Sequence, residues 1–178
     1  MNLSLYDERA GAEARPGNRV VYDVAGNEAR FGAQAVDGHA LVWELAEYAG
    51  DGALLTASVD VAAGGWLMRC DRVDFPPGGV AYRHTHPGPG VRCLLQGSIT
   101  VETAGETHTY GPFEAWFESG PEPVLATASP TEETAFVRVM LLPVEWAGQR
   151  TIKYVDPSDA DKPKTQRATI FLEQPVVR

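Results

Sequence analysis

Glycine and proline recur along this chain so often that long helices do not fit between them. The 178 residues include 18 Gly and 13 Pro, which separate short apolar runs. Because both residues weaken helices and favour turns, short apolar runs between them are typical of β-strands. Many such strands in succession predict an all-β sandwich or barrel.

The clearest strand signals lie between Leu54 and Leu142. The runs that carry them are Leu54–Val61, Trp66–Phe75, Val80–His86, Val91–Leu95, Ser98–Thr103, Thr107–Tyr110, Ala115–Glu118, Val124–Ser129 and Thr134–Leu142. Residues 39–49 fit either a short helix or a strand, because their apolar positions match a helical period that tertiary contacts can override.

Two flanking regions differ from this central part. Residues 1–53 are interpreted as an N-terminal arm with peripheral elements, loosely attached before residue 30, where the sequence is polar and irregular. Residues 143–178 form a C-terminal extension, whose polar segment 156–164 predicts a solvated loop. The apolar residues near the end of the chain could return as an edge strand or pack on a partner subunit. We expect a homodimer, with a monomer that folds back both ends as the alternative.

Composition excludes several classes of function. The chain has 15 Lys and Arg against 24 Asp and Glu, a net charge of −9, so it lacks the basic character of a nucleic-acid-binding protein. It contains no apolar stretch long enough to span a membrane, and its first residues do not resemble a signal peptide. Two cysteines, Cys70 and Cys93, are too few for a disulfide scaffold. We expect a cytoplasmic protein.

The residues most suggestive of chemistry are His84 and His86. On a β-strand, residues two apart point to the same face, so these imidazoles would project side by side, with Tyr82 on that face as well. Two imidazoles in this arrangement can bind a divalent metal ion such as Fe, Ni, Zn or Mn. A His-x-His pair also occurs on protein surfaces without a function.

The surrounding spacing resembles a known family. The pattern Gly78-x5-His84-x-His86-x3-Gly90-x6-Gly97 is similar to the first motif of the cupin superfamily, Gly-x5-His-x-His-x3,4-Glu-x6-Gly. Residues 112–124 resemble its second motif by their order and distance from the first. The resemblance covers residues 54–142. It implies an RmlC-like double-stranded β-helix, a jelly-roll barrel with the His pair inside.

The resemblance also implies a metal site, but an incomplete one. His84 and His86 match the first two ligands of the family, whereas Gly90 stands in the position of the Glu ligand and Pro123 in that of the third His. Neither Gly nor Pro can ligate through its side chain. Glu118 is the best replacement and would complete a two-His, one-carboxylate set, unless it faces solvent. The cofactor is therefore expected to be a divalent metal ion, or absent.

Three further residues are candidates for the site. If Gly90 points inward, Arg92 shares its face and would bind an anionic substrate, unless it reaches the rim or pairs with an acidic side chain. Trp116 is either a core aromatic residue or a platform for the substrate. Tyr82 carries the hydroxyl nearest in sequence to the His pair, which makes it the preferred acid/base candidate.

These residues predict an enzyme that acts on a small anionic organic molecule. The first expectation is a metal-dependent oxidoreductase of the dioxygenase type, with His84, His86 and Glu118 as ligands. One alternative is a metal-free isomerase, lyase or cyclase that uses a histidine base and a tyrosine acid. Another is a barrel that binds a small molecule without chemistry, because a fold does not determine a function.

Overall fold

A computed structural model of the chain describes residues 1–61 and 64–177, so Ala62, Ala63 and Arg178 lie outside it. Within these residues the strands form three five-stranded sheets and one two-stranded ladder. The helical segments among the described residues are two short 3₁₀ helices, Val144–Trp146 and Pro157–Ala160. Neither they nor any other described segment could cross a membrane as a helix. The predicted all-β class is confirmed.

The first of the large sheets is built from the N-terminal third of the chain. Its strands, together with those of the two-stranded ladder, are β1 (Asn2–Glu8), β2 (Gly11–Ala12), β3 (Asn18–Asp23), β4 (Glu28–Phe31), β5 (Val36–Asp37), β6 (Ala40–Ala46) and β7 (Leu55–Ser58). The sheet has the order β4-β3-β6-β1-β7, and β2 pairs with β5. We call it the N-terminal sheet.

The rest of the chain forms a barrel from two facing sheets. Its strands are β8 (Trp66–Phe75), β9 (Val80–Thr85), β10 (Gly90–Gln96), β11 (Ile99–Thr103), β12 (Glu106–Tyr110), β13 (Ala115–Glu118), β14 (Val124–Ala128), β15 (Thr134–Pro143), β16 (Lys153–Tyr154) and β17 (Arg167–Pro175). The central sheet has the order β13-β10-β15-β8-β17, and the outer sheet has the order β12-β11-β14-β9-β16. Leu94 and Phe136 of the central sheet pack with Ile99 and Ala126 of the outer sheet inside the barrel.

The strands predicted from Trp66 to Leu142 are confirmed in the barrel, with small differences at the strand ends. The placement of Leu54–Val61 in the barrel is wrong, because its strand β7 pairs with β1 in the N-terminal sheet. Trp66–Phe75 and Ala115–Glu118 form strands with the predicted bounds. The C-terminal apolar residues belong to β17, an edge strand paired with β8, which was one of the two alternatives.

The ambiguous segment 39–49 contains a strand, β6, and not a helix. Leu41 and Trp43 pack in the main core, while Ala40 and Val42 pack in a small cluster on the opposite face of the N-terminal sheet. Because both faces of β6 are buried, its sequence lacks the alternation of a half-exposed strand and imitates a helical period.

The expectation of a loosely attached N-terminus is wrong. Leu3, Leu5, Val20 and Tyr22 are fully buried. They pack with residues of the central sheet, including Val139, in one apolar cluster. In β1, apolar residues alternate with polar ones, so this strand is less conspicuous in the sequence than a continuous apolar run. As a result, the central sheet is covered on both faces, by the N-terminal sheet on one side and by the outer sheet on the other.

Trp43 links the N-terminal sheet directly to the barrel. Its side chain is fully buried, and its indole Nε1 donates a hydrogen bond of 3.1 Å to the carbonyl oxygen of Val91 in β10. A buried donor and acceptor of this kind are costly to separate.

We expect Trp43→Phe to destabilise the protein by about 1–3 kcal/mol, because the Val91 carbonyl loses its partner and a smaller ring leaves unfilled space. Urea unfolding followed by circular dichroism measures this change. Tyr48→Phe is the matched control, since Tyr48 is 79% exposed and its substitution should leave the unfolding midpoint unchanged. Equal midpoints for the two variants would contradict a tight junction between the sheets.

Candidate functional site

The His pair lies inside the barrel at the end of β9. His84 is the penultimate residue of that strand and His86 follows it, and both side chains are buried. Their Nε2 atoms are 3.2 Å apart, and the rings are nearly perpendicular, at 86°. The two imidazoles therefore share one small volume between the sheets.

Backbone carbonyl groups fix the tautomers of both rings. Nδ1 of His84 lies 2.7 Å from the carbonyl oxygen of Tyr82, and Nδ1 of His86 lies 3.2 Å from that of Thr151. Because a carbonyl oxygen only accepts hydrogen bonds, each Nδ1 carries a proton and donates it. In the neutral rings, both Nε2 atoms then present lone pairs, which point toward each other.

The pKa values of both imidazoles are shifted downward. Burial lowers the pKa of His84. Burial also lowers the pKa of His86, well below its ordinary value, and the nearby positive charges of Arg138 and Arg92 add to this effect. Both rings are therefore neutral at pH 7, and their lone pairs are available for a proton or another electrophile.

The prediction that Tyr82 faces the His pair is wrong, because β9 contains a β-bulge. Ala81 pairs with Ala126 and His84 with Val124, so two residues of β9 lie opposite one residue of β14. The extra residue breaks the alternation, and Ala81 and His84 both line the interior. The ring of Tyr82 instead lies 4.6 Å below the ammonium group of Lys162. Its hydroxyl is not available as an acid at this site.

Arg92 and Glu118 form a buried ion pair on the inner face of the central sheet. Arg92 Nη2 is 2.6 Å from Glu118 Oε2, and the indole Nε1 of Trp116 donates to Glu118 Oε1 at 2.9 Å. Burial lowers the pKa of Arg92 to about 10, so the guanidinium is still charged at pH 7. Glu118 faces inward and not toward solvent, 3.7 Å from His86 Nε2.

Gly90 makes room for this pair. Gly90 lies opposite Glu118 in the neighbouring strand, and Arg92 Nη1 donates to its carbonyl oxygen at 2.6 Å. A Cβ atom at Gly90 would lie 2.9 Å from Arg92 Nη1 and 2.7 Å from the carbonyl oxygen of Val139. Any larger residue in the position of the family's Glu ligand would displace the guanidinium or the backbone.

A second buried ion pair flanks the imidazoles on the other side. Arg138 Nε and Nη2 donate to the two carboxylate oxygens of Asp71, at 2.6 and 3.3 Å. Arg138 Nη1 lies 3.4 Å from His86 Nε2 and donates toward it. Sequence reasoning passed over Asp71. Arg138 is the one charged residue of the apolar strand β15, which is a signal that the sequence offers. Asp71 shares β8 with three other charged residues, so no local signal distinguishes it.

A narrow slot lies against the His pair, and a wider vestibule lies next to the slot. The slot, about 50 Å³, is lined by apolar side chains, by both imidazoles and by Glu118. The vestibule, about 390 Å³, opens on the outside of Arg138. Four residues line both spaces and form the constriction between them, namely Arg138, Ile152, Gln166 and Ala168. Three of them belong to the C-terminal extension, which therefore completes the site.

The predicted metal ligands do not fit a divalent ion in this arrangement. The carboxylate of Glu118 is neutralised by Arg92, and the guanidinium of Arg138 is directed at the lone pair of His86. A divalent ion would place two more positive charges beside two guanidinium groups. Within residues 1–61 and 64–177, no group of three or more His, Cys, Asp or Glu side chains could hold a metal ion.

Comparisons with known proteins give matches among solved structures alone. No protein-family model and no curated protein matches the chain. A protein of unknown function from Rhizobium leguminosarum bv. viciae 3841 is 27% identical, with a TM-score of 0.38 over 42% of this chain and 68% of that one. An RmlC-like cupin from Shewanella frigidimarina NCIMB 400 is 16% identical, with a TM-score of 0.39 over 47% of this chain and 80% of that one.

The polyketide cyclase RemF from Streptomyces resistomycificus is 21% identical, with a TM-score of 0.42 over 60% of this chain and 77% of that one. Together these matches cover parts of the chain with loose superposition. What defines the fold here is the chain's own strand order, two facing sheets with the His-x-His pair at the end of β9.

We expect the stability of the protein to fall as the pH decreases from about 8 to about 5. The pKa of His86 in the fold lies below the value of 6.5 expected in the unfolded chain, so the unfolded chain takes up the proton first. The contribution of the neutral imidazole to the free energy of unfolding is therefore fully present above pH 6.5. Below pH 6.5 it is lost, by at most about 1.4 kcal/mol per pH unit for each imidazole. Urea unfolding across this pH range measures the slope.

His86→Gln should make that slope shallower. His108→Gln is the control, because His108 lies on the exposed strand β12 and its substitution should leave the wild-type slope. An unchanged slope in His86→Gln would show that the buried imidazole does not resist protonation.

Proposed function

We propose that this chain, which has the β-barrel fold of the cupin superfamily, is an enzyme that moves a proton on a small anionic organic molecule without a metal. Isomerisation and elimination are the reactions that this chemistry serves. The observation that supports the proposal is the His pair, two neutral imidazoles with converging Nε2 lone pairs between two buried guanidinium groups.

His84 is the better base of the two. Its Nδ1 is occupied by the Tyr82 carbonyl, while its Nε2 faces the slot and contacts His86. The lone pair of His86 is already approached by Arg138. When His84 takes a proton on Nε2, it can donate that proton in a hydrogen bond to His86. This bond stabilises the protonated state that burial otherwise disfavours.

Arg138 is the group that would hold the negative charge of the substrate. It lines both the slot and the vestibule, and its Nη1 has no carboxylate partner, unlike its other two nitrogens. Arg150 and Lys164 add positive charge to the vestibule wall. The guanidinium of Arg69 is occupied by Glu173 and by two backbone carbonyls, so it shapes the vestibule without binding an anion.

His84 would take a proton from the substrate and return it to the substrate or to a leaving group. A C–H bond next to a carbonyl or carboxylate group breaks, its proton goes to His84 Nε2, and its electron pair forms an enolate-type anion beside Arg138. Return of the proton to another carbon completes an isomerisation. Departure of a leaving group from the next carbon, with the same proton, completes an elimination. No oxidant is needed.

A metal-dependent oxidoreductase is the second candidate. The 3.2 Å separation of the two Nε2 atoms favours it, since two converging lone pairs with both Nδ1 atoms bonded to carbonyls are also typical of metal ligands. The ion pairs of Glu118 and Arg138 argue against it. The third candidate, a barrel that binds a small molecule without chemistry, requires the same Arg138 contact but no role for His84.

Deuterium exchange tests the proposal. We expect the protein to catalyse exchange of a carbon-bound proton in at least one member of a panel of small keto and hydroxy acids in D2O, observed by NMR. His84→Gln should lower the rate by about 100-fold or more, since it removes the base. Arg72→Gln is the control and should keep the wild-type rate. In the wild-type protein, Arg72 pairs with the half-exposed Asp74 on the same strand, away from the His pair.

Two outcomes would overturn the proposal. One is binding of acids with no exchange for any of them, which would favour the binding module. The other is exchange that survives in His84→Gln, which would place the base elsewhere.

Elemental analysis separates the first two candidates. We expect the purified protein to contain well below one divalent metal ion per chain, and we expect activity to resist EDTA. The result would instead favour the metal-dependent oxidoreductase if the wild type contains about one metal ion per chain, His84→Ala contains none and His108→Ala keeps it.

A further inference from the structure

The constriction between the slot and the vestibule contains an unsatisfied hydrogen-bond acceptor. Oε1 of Gln166 is buried and has no hydrogen-bond partner in the part of the chain that the structure describes. Gln166 lines both spaces. A buried acceptor without a donor is costly, so the unpaired oxygen of a residue that lines the same slot as the His pair points to a ligand.

Two other polar groups next to the constriction do have partners. The carbonyl oxygen of Thr151 accepts from His86, and two nitrogens of Arg138 are bonded to Asp71. What the constriction offers a ligand is therefore one guanidinium N–H, which suits an anion, and one amide oxygen, which requires a donor.

The charges nearby decide which donor that is. Arg138, Arg150 and Lys164 line the vestibule, and the carboxylate of Asp71 in the same wall is already paired with Arg138. A protonated amine on the ligand would therefore be repelled by the remaining positive charges. A hydroxyl group can donate to Gln166 without carrying charge. Because Arg138 and Gln166 line the same two spaces, one small molecule can present an acidic group to Arg138 and a hydroxyl group to Gln166.

We propose that Gln166 determines substrate specificity, and that it selects small hydroxy carboxylic acids over the same acids without the hydroxyl group. This inference rests on the proposed function and specifies its substrate class. A site with a buried acceptor discriminates strongly against a ligand that lacks the matching donor, because that ligand leaves the acceptor unpaired.

The test uses matched pairs of acids that differ by one hydroxyl group. The probes are lactate and propionate, malate and succinate, and 3-hydroxybutyrate and butyrate, with binding measured by NMR titration. For at least one pair, we expect the wild-type protein to bind the hydroxy acid about tenfold more tightly.

Gln166→Leu removes the acceptor and keeps a side chain of similar size. The variant should bind the hydroxy acid more weakly and so lose the preference. Its affinity for the acid without the hydroxyl group should stay within about twofold of the wild-type value. Gln174→Leu is the matched control, since Gln174 is exposed on β17, and it should keep the preference. Thermal unfolding of both variants verifies that they fold as the wild type does.

The outcomes distinguish this inference from the proposed function. Equal binding of both members of every pair, or a preference that survives in Gln166→Leu, would overturn the role of Gln166 and leave the proposed function intact. The proposal of an anionic substrate would be overturned if no acid binds, or if Arg138→Gln binds the acids as tightly as the wild type does. This inference would then fall with it.

Discussion

A row of charged side chains crosses the inner face of the central sheet, and the site depends on it. Arg92 of β10 and Arg138 of β15 lie directly opposite each other in register. Two guanidinium groups in such positions repel each other, and burial adds the cost of removing them from water. Asp71 on one side and Glu118 on the other supply the compensating charges. Because the row is neutral as a whole, it can persist inside the barrel, where burial, with the nearby guanidinium groups, lowers the pKa of His86.

This row of charged side chains is buried because both faces of the central sheet are covered. The N-terminal sheet packs on one side of the central sheet and the outer sheet packs on the other. Ion pairs in such surroundings are screened little by water, so the charge of Arg138 acts strongly on the neighbouring ring of His86. The C-terminal extension adds the carbonyl of Thr151 and the side chain of Gln166. Segments that flank the barrel in sequence thus become part of its interior.

The sequence predicted much of the barrel and part of the site. Gly and Pro marked the turns, and the motif spacing placed His84 and His86 inside a pocket. It also placed Arg92 on the inner face beside Gly90, where both lie. The position of Tyr82 could not be predicted, because a one-residue β-bulge is set by pairing with another strand and has no local signature. Whether Arg92 pairs with an acidic side chain was left open, since such pairing depends on which strands become neighbours.

Local chemistry and long-range pairing therefore determine different features of this protein. By itself, the sequence determined the all-β class, the bounds of most barrel strands and the side-by-side position of the two imidazoles, because turn residues and the two-residue period of a strand act over short distances. The tertiary structure alone decided that the first 46 residues form a packed sheet, that Arg138 meets Asp71 and that Gln166 reaches the slot. These contacts join residues far apart in the chain, and no local pattern specifies them.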